Sequence, residues 1–397
     1  MNTQKLNTLA HTIINYSLHL KENSKVLIDF TKEASPLVEE LIKEGKKVGA
    51  IMSLDMYDSK LACLLADTNT AERIELIKKR KEFEVENYDA FIHINYTYND
   101  YESKNFPKEM RIKLGEATKA ARDVRVNERE WVLLNYPSPI DAYKAKMPTS
   151  DFNEFALDVM TVDYQKMSED IKPLKELMES TDKVRIVAPN TDITFSIKGL
   201  PAIPCTGEKN IPDGELYTAP VRDSINGTIT YNTPSPYQGY VFEGIKLTFK
   251  NGKIIEATCD NKEYQEKLEE IFNTDEGARY VGEFSLGFNP MILHPMGDIL
   301  FDEKIMGSLH FTPGCCYRDC DNGNKSSIHW DLVLIQREDY GGGSIYFDHR
   351  LIRKDGKFVL EELKNLNKNV WRMNHTFLYF LYFFKYYIRY FFTFFYF

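Results

Sequence analysis

Through its first 180 residues the chain alternates short β-rich runs with amphipathic stretches, a pattern that leaves few architectures open. Leu6, Leu9, Ile13, Ile14 and Leu18 recur at helical spacing, and Val26–Phe30 follows as a strand. A helix over 36–44 is predicted to end at Gly45 as a C-cap, ahead of a strand from Val48 to Met52. Further strands are predicted over Tyr88–Ile94 and Trp131–Tyr136, with helices over 70–84, 107–121 and 151–180. Strands separated by helices call for a parallel sheet with helical cover, so residues 1–180 are expected to form a Rossmann-like α/β domain. No G-x-G-x-x-G opens any of these helices, and G-x-x-x-x-G-K-[ST] is absent. The domain therefore reads as a scaffold without a nucleotide cradle.

Past residue 181 the texture changes. Lys183–Val187 and Ile193–Ile197 are followed by short alternating runs broken by Pro and Gly through 199–252, and Ile345–Phe347 with Arg350–Ile352 read as a late hairpin. This implies an α+β, mainly antiparallel second domain over 181–364. Two domains also suit a length of 397 residues. The formal charge of −9 argues against broad phosphate neutralisation, so no nucleic-acid partner is expected. Six cysteines are too few and too scattered for a disulfide framework at this size, and the N-terminus has polar residues every few positions where a signal peptide would be continuously apolar. A reducing, cytoplasmic setting is expected.

The C-terminus stands apart: Thr376–Phe397 holds nine Phe and six Tyr in 22 residues. It is long enough to span a membrane, but Lys385 and Arg389 interrupt it and aromatic residues rather than Leu or Ile fill it. Residues 365–397 are set outside the fold as an aberrant tail, with membrane association expected only if that tail is genuine.

Chemistry-bearing residues concentrate in the second half. In Ser327-Ile-His329-Trp-Asp331, His and Asp lie two apart, and on a strand such a pair projects from one face. Imidazole and carboxylate together suit zinc, cobalt or manganese. Glu283 sits between small residues in Gly282–Gly287, Glu215 precedes the β-like run Leu216–Thr218, and Gly307-Ser-Leu-His310 ends in a second histidine, with Tyr317 seven residues on. Three carboxylates and two imidazoles match the demand of two metals that share a bridging group. Cys315, Cys316 and Cys320, spaced C-C-x-x-x-C without a fourth thiol nearby, make a poor structural zinc pattern and read as free thiols. Asp302-Glu303-Lys304 reads as a charged turn ahead of His310, His93 as a core histidine, and His349 and His375 have no constellation around them.

Four blocks resemble the dinuclear metallo-aminopeptidases of the aminopeptidase T and S type: I-P-D-G-E-L-Y-T-A-P-V-R-D at 211–223, D-E-G-A-R-Y-V-G-E-F-S-L-G at 275–287, L-F-D-E-K-I-M-G-S-L-H at 300–310 and S-S-I-H-W-D at 326–331. The resemblance covers about residues 1–364 and keeps the family's order. It implies Glu215, Glu283, His310, His329 and Asp331 as ligands of two divalent ions (zinc, cobalt or manganese), Tyr317 as the active-site tyrosine, and Arg222, Asp223 and Asp302-Glu303-Lys304 as candidates for supporting or substrate-binding roles. Glu215 or Glu283 would bridge the ions, and a carboxylate near the shared water would act as general base. The implied protein is a cytoplasmic homodimeric hydrolase, a metalloprotease that trims short peptides from a free N-terminus. The segment F-T-P-G-C-C-Y-R-D-C-D-N-G-N-K after His310 departs from the family in being shorter and cysteine-rich, as does the aromatic tail. Two other readings are a dinuclear phosphoesterase or amidase, and a homologue that binds metal or peptide without turnover.

Overall fold

The computed structural model describes residues 2–367 apart from 69, 100 and 102–105. The first half builds a parallel sheet whose spatial order is Ile51–Met56, Lys25–Phe30, Ala90–Asn95, Glu130–Asn135 and Asn210–Ile211. The last of these strands comes from the second half of the chain. Period-two alternation sorts the strand residues between two layers. Ile28, Phe30, Ile92, Ile94, Val132 and Leu134 enter the main core, while Leu27 and Phe91 face Val85 and Ala121 of the helices Ala71–Asn87 and Lys108–Glu128.

Boundaries differ from expectation where packing overrides local signals. The helix expected over 36–44 runs from Ser35 to Lys47, and its following strand is Ile51–Met56 rather than Val48–Met52. Gly45 is no cap: a Cβ there would lie 2.2 Å from the Met52 sulfur, so the glycine gives that side chain room inside the helix. The turn falls at Gly49, with φ +74°. The predicted helix over 151–180 is three helices, Thr149–Met160, Tyr164–Asp170 and Lys172–Ser180. Asp163 starts the second by accepting the Lys166 N–H, and Pro173 sits in the first turn of the third.

The second half contains two antiparallel sheets. One has eight strands in the order Lys253–Thr258, Lys246–Lys250, Asn226–Thr230, Thr191–Ser196, Lys183–Ala188, Ser344–Phe347, Arg350–Lys354 and Lys357–Phe358. The other orders Leu332–Ile335, Ser308–Pro313, Val281–Gly287, Glu215–Thr218 and Ile203–Cys205. They meet through Phe195, whose ring lies 4.9 Å from Phe284 and 5.2 Å from Phe311. That contact uses the apolar face of the five-stranded sheet, with Leu216, Phe284, Leu286, Leu309 and Phe311 all buried. Glu215, Glu283, Ser285, His310, Thr312 and Val333 alternate with those residues and occupy the opposite face. The fold is thus mixed α/β, with a parallel sheet and antiparallel sheets.

Packing continues to Asn367: Leu366 is fully buried, and the Asn367 side chain bonds both the N–H and the carbonyl of Phe358. The aromatic tail, His375 within it and the span considered for a membrane lie outside the described residues. Among the described residues no helix is long and apolar enough to cross a membrane.

Candidate metal centre

Because Glu215, Glu283 and His310 come from three neighbouring strands on one face, the sheet register brings them together without help from loops. His310 Nε2 lies 3.0 Å from Glu283 Oε1 and 3.6 Å from Glu215 Oε2. The other Glu283 oxygen faces His329, with 3.7 Å from Oε2 to Nε2, and His329 Nε2 is 3.5 Å from Asp331 Oδ1. Of the four ligand-type triads among the described residues, Glu215–Glu283–His310 and Glu283–His329–Asp331 share Glu283, and another joins Cys205, Asp213 and Glu215. All five predicted ligand residues converge.

Three of these groups are themselves held, while the buried His310 Nδ1 has no hydrogen-bond partner among the described residues. Ser285 Oγ donates to Glu215 Oε2 at 2.9 Å, and Thr312 Oγ1 donates to Asp331 Oδ1 at 2.6 Å. His329 Nδ1 meets the Cys315 carbonyl at 2.9 Å, which leaves Nε2 aimed at the carboxylates. That carbonyl is in reach because the 315–316 backbone crosses directly over Gly282, where a Cβ would stand 2.4 Å from the Cys315 oxygen. The cysteine-rich segment also holds Tyr317, whose ring centroid lies 4.8 Å from His329 and 5.6 Å from Tyr217. All six cysteines are free, and the described residues hold no metal-type cluster built from Cys315, Cys316 and Cys320.

Charge is the dominant feature of the site. Burial pushes the Glu283 carboxyl above its ordinary range. Burial opposes the imidazolium of His310, yet its hydrogen bond to Glu283 and the Glu215 charge carry it up to about 10. The cluster demands positive charge that the side chains supply only in part. Carboxylate oxygen and imidazole nitrogen, buried and convergent, form a donor set that suits divalent ions.

Two members exceed the predicted set. Glu303 forms a further ligand-type triad with His310 and Asp331, and Lys304, fully buried, places Nζ 3.1 Å from Glu215 Oε1 and against Glu303. Asp213 stands 4.0 Å from the same ammonium. Asp302 is placed differently: its carboxylate accepts the N–H groups of Met296 and Gly297. Arg222 covers the Tyr280 ring at 3.7 Å and Asp223 points to solvent, so neither joins the cluster. His93 stacks on Tyr57 at 5.7 Å and stands 3.7 Å from Asp29, with Nδ1 lacking a hydrogen bond, and His349 is exposed.

The family model described as thermophilic metalloprotease (M29) matches residues 2–358. The chain belongs to the M29 family. Among curated M29-like relatives, Aminopeptidase 2 of Geobacillus stearothermophilus is 24% identical over 89% of this chain and 95% of its own, and Aminopeptidase PepS of Streptococcus thermophilus is 24% identical over 83% and 92%. The solved structure of AmpT from Thermus thermophilus superposes with a TM-score of 0.74 at 19% identity, covering 90% of this chain and 99% of that one. A dihydroxypyridine dioxygenase from Pseudomonas putida shares the fold at a TM-score of 0.58 and 14% identity, over 91% of this chain and 99% of that one. The fold alone does not dictate M29 chemistry.

Proposed function

We propose that this M29 member is a metal-dependent aminopeptidase, a hydrolase that removes N-terminal residues from short peptides using two divalent ions of zinc, cobalt or manganese. The observation that carries this reading is the placement of Glu283, one oxygen beside His310 and the other beside His329. Glu215 and His310 would hold one ion, His329 and Asp331 the other, with Glu283 between them. Such a pair supplies a water that ionises near neutral pH and polarises the scissile carbonyl.

The protein's own groups then divide the work. Tyr317 is 47% exposed, but desolvation at its hydroxyl and the charges of Glu283 and Asp331 keep it protonated, and it would donate a hydrogen bond to the developing oxyanion, a contribution of about 3 kcal/mol for one such donor. Glu303, which clusters with His310 and Asp331 and is held by Lys304, would take the proton from the attacking water and return it to the leaving amine. Glu215 and Glu283, the other candidates for that role, are committed as ligands. Lys304 fixes Glu215 and Glu303 in place through its ammonium.

Residues 1–180 serve in this reading as a Rossmann-like scaffold and 181–364 as the catalytic domain, to which 365–367, first set with the tail, are joined by the buried Leu366 and the Asn367 bonds to Phe358. Two copies form a homodimer in the cytoplasm, in keeping with six free thiols.

The test strips the full-length protein with chelator and assays aminoacyl-coumarins beside their N-acetylated forms as zinc, cobalt or manganese is restored. Turnover of the free amines alone, returning with metal, is the expected result. Hydrolysis of acetylated substrates to the same extent would refute exopeptidase action. Glu283→Gln should lose both activity and bound metal by elemental analysis, and retention of two ions would remove Glu283 from the bridge.

A further inference from the structure

A small cavity shares a wall with the metal cluster. His329 and Asp331 form that wall, Val333 extends it along the strand, and Pro234, Pro236 and Tyr237 with Ile299 close the other sides. Val333 pairs with His310 in the sheet register, so its side chain lies on the same face as the ligands. The space measures about 140 Å³. Sites for whole small-molecule ligands usually occupy some 300–1,000 Å³, so this one has room for a single side chain.

We infer that this cavity receives the side chain of the substrate's N-terminal residue and selects apolar residues of moderate size. The inference rests on the aminopeptidase reading and deepens it. When a peptide's α-amino group and first carbonyl sit at the ligand cluster, its first side chain emerges within a few ångströms of His329 and Asp331. The cavity starts there.

Its chemistry excludes charge. Most polar groups of its lining are already engaged: the Asp302 carboxylate accepts the Met296 and Gly297 N–H groups, Thr233 Oγ1 donates to the Val333 carbonyl, and His329 and Asp331 are committed to the ligand cluster, which leaves the Ser235 hydroxyl. A lysine, arginine or glutamate side chain would leave water for a place that offers it a hydroxyl but no uncommitted opposite charge. The apolar walls also hold their shape. Tyr237 stacks on Trp330 at 4.6 Å, and Trp330 is backed by Phe272 at 5.8 Å and Phe242 at 5.3 Å. A wall braced in this way excludes a larger side chain, and each methylene that fits or fails to fit changes kcat/KM by about 10- to 200-fold.

The test measures kcat/KM of the full-length metal-loaded protein on alanyl-, leucyl-, methionyl-, tryptophanyl-, lysyl- and glutamyl-coumarin. Leucine and methionine are expected to exceed lysine, glutamate and tryptophan by at least about 10-fold. Ile299, 39% exposed at the rim, tolerates replacement without disturbing the core. Ile299→Trp should lower the leucine-to-alanine ratio about 10-fold or more, and Val333→Ala should raise the tryptophan-to-leucine ratio by a similar factor. Equal turnover across the panel, a preference for the charged residues, or ratios unmoved in both variants would overturn the subsite while leaving aminopeptidase action intact. Failure of the wild type on every free amine would instead overturn the reading beneath it.

Discussion

Replacing Lys304 by methionine is the sharpest perturbation the site permits. The carboxylates of Asp213, Glu215 and Glu303 gather around one buried ammonium, and Glu283 and Asp331 stand in the adjoining cluster. Lys304 is fully buried, and the charges of Glu215, Glu303 and Asp213 outweigh burial to hold its ammonium well above the ordinary lysine range. Methionine keeps most of the side-chain volume but strands those partners, and breaking a buried ion pair typically costs about 3–5 kcal/mol. Urea denaturation of chelator-treated protein, followed by tryptophan fluorescence, should register that loss. Asp213→Asn combined with Lys304→Met removes one charge of each sign and should regain at least half of it. Metal ions should stabilise Lys304→Met by more than they stabilise the wild type, because the ammonium no longer competes for Glu215 and Glu303. The reasoning fails if metal-free Lys304→Met unfolds within about 1 kcal/mol of the wild type, since that would mean that no uncompensated charge is left behind.

Tyr317→Phe should lower kcat by about 100- to 1,000-fold with little change in KM or metal content, because only the oxyanion donor is lost; an unchanged kcat would remove Tyr317 from the reaction. Arg353 is buried with Nε and Nη1 unpaired and a single hydrogen bond to Gln336, and burial presses its guanidinium down to about 9. Arg353→Met should therefore leave stability unchanged or raise it by about 1–4 kcal/mol in urea melts, and a clear loss would show that the guanidinium has a partner in solution. Burial lifts the Asp302 carboxyl to about 8, so between about pH 4 and 8 the folded chain keeps a proton that the unfolded chain has released. Its contribution to stability falls as pH rises through that window, and Asp302→Asn should flatten the decline of the urea midpoint between pH 5 and 8; an identical slope would count against the lifted value.

The parallel sheet was readable because short β-rich runs alternate with amphipathic helical stretches, the order that a helix-covered parallel sheet requires. What escaped was set by contacts from elsewhere in the chain. Gly45 looks like a helix stop by composition, but the neighbour that gives it a reason to be glycine is Met52, across a turn. The strand Asn210–Ile211 is two residues long, and only its pairing with Leu133 and Leu134 makes it part of the sheet. Nothing in the local sequence announces that a piece of the second half will finish the first half's sheet.

The site divides along the same line. Glu215, Glu283 and His310 share a face because period two fixes which strand residues do, whereas His329 and Asp331 precede the strand Leu332–Ile335, and it was the family resemblance that joined the five as an expected ligand set. Glu303 and Lys304 lay in plain view yet looked like a charged turn, since Asp-Glu-Lys is what an exposed turn usually contains. Their meaning depends on burial, which is a property of the assembled molecule. Asp302 accepts the N–H groups of Met296 and Gly297, Asp298 caps the short helix Ile299–Asp302, and Asn135 at the end of a parallel strand donates to Asp298 at 2.7 Å. This chain of hydrogen bonds carries the helix and the two charged residues after it into the cluster from the first half's sheet. Asn95 and Tyr57 continue it across the strand ends, with Tyr57 donating to Asn95 and Asn95 to Asn135. The carboxyl edge of the parallel sheet thereby braces the helix that delivers Glu303 and Lys304.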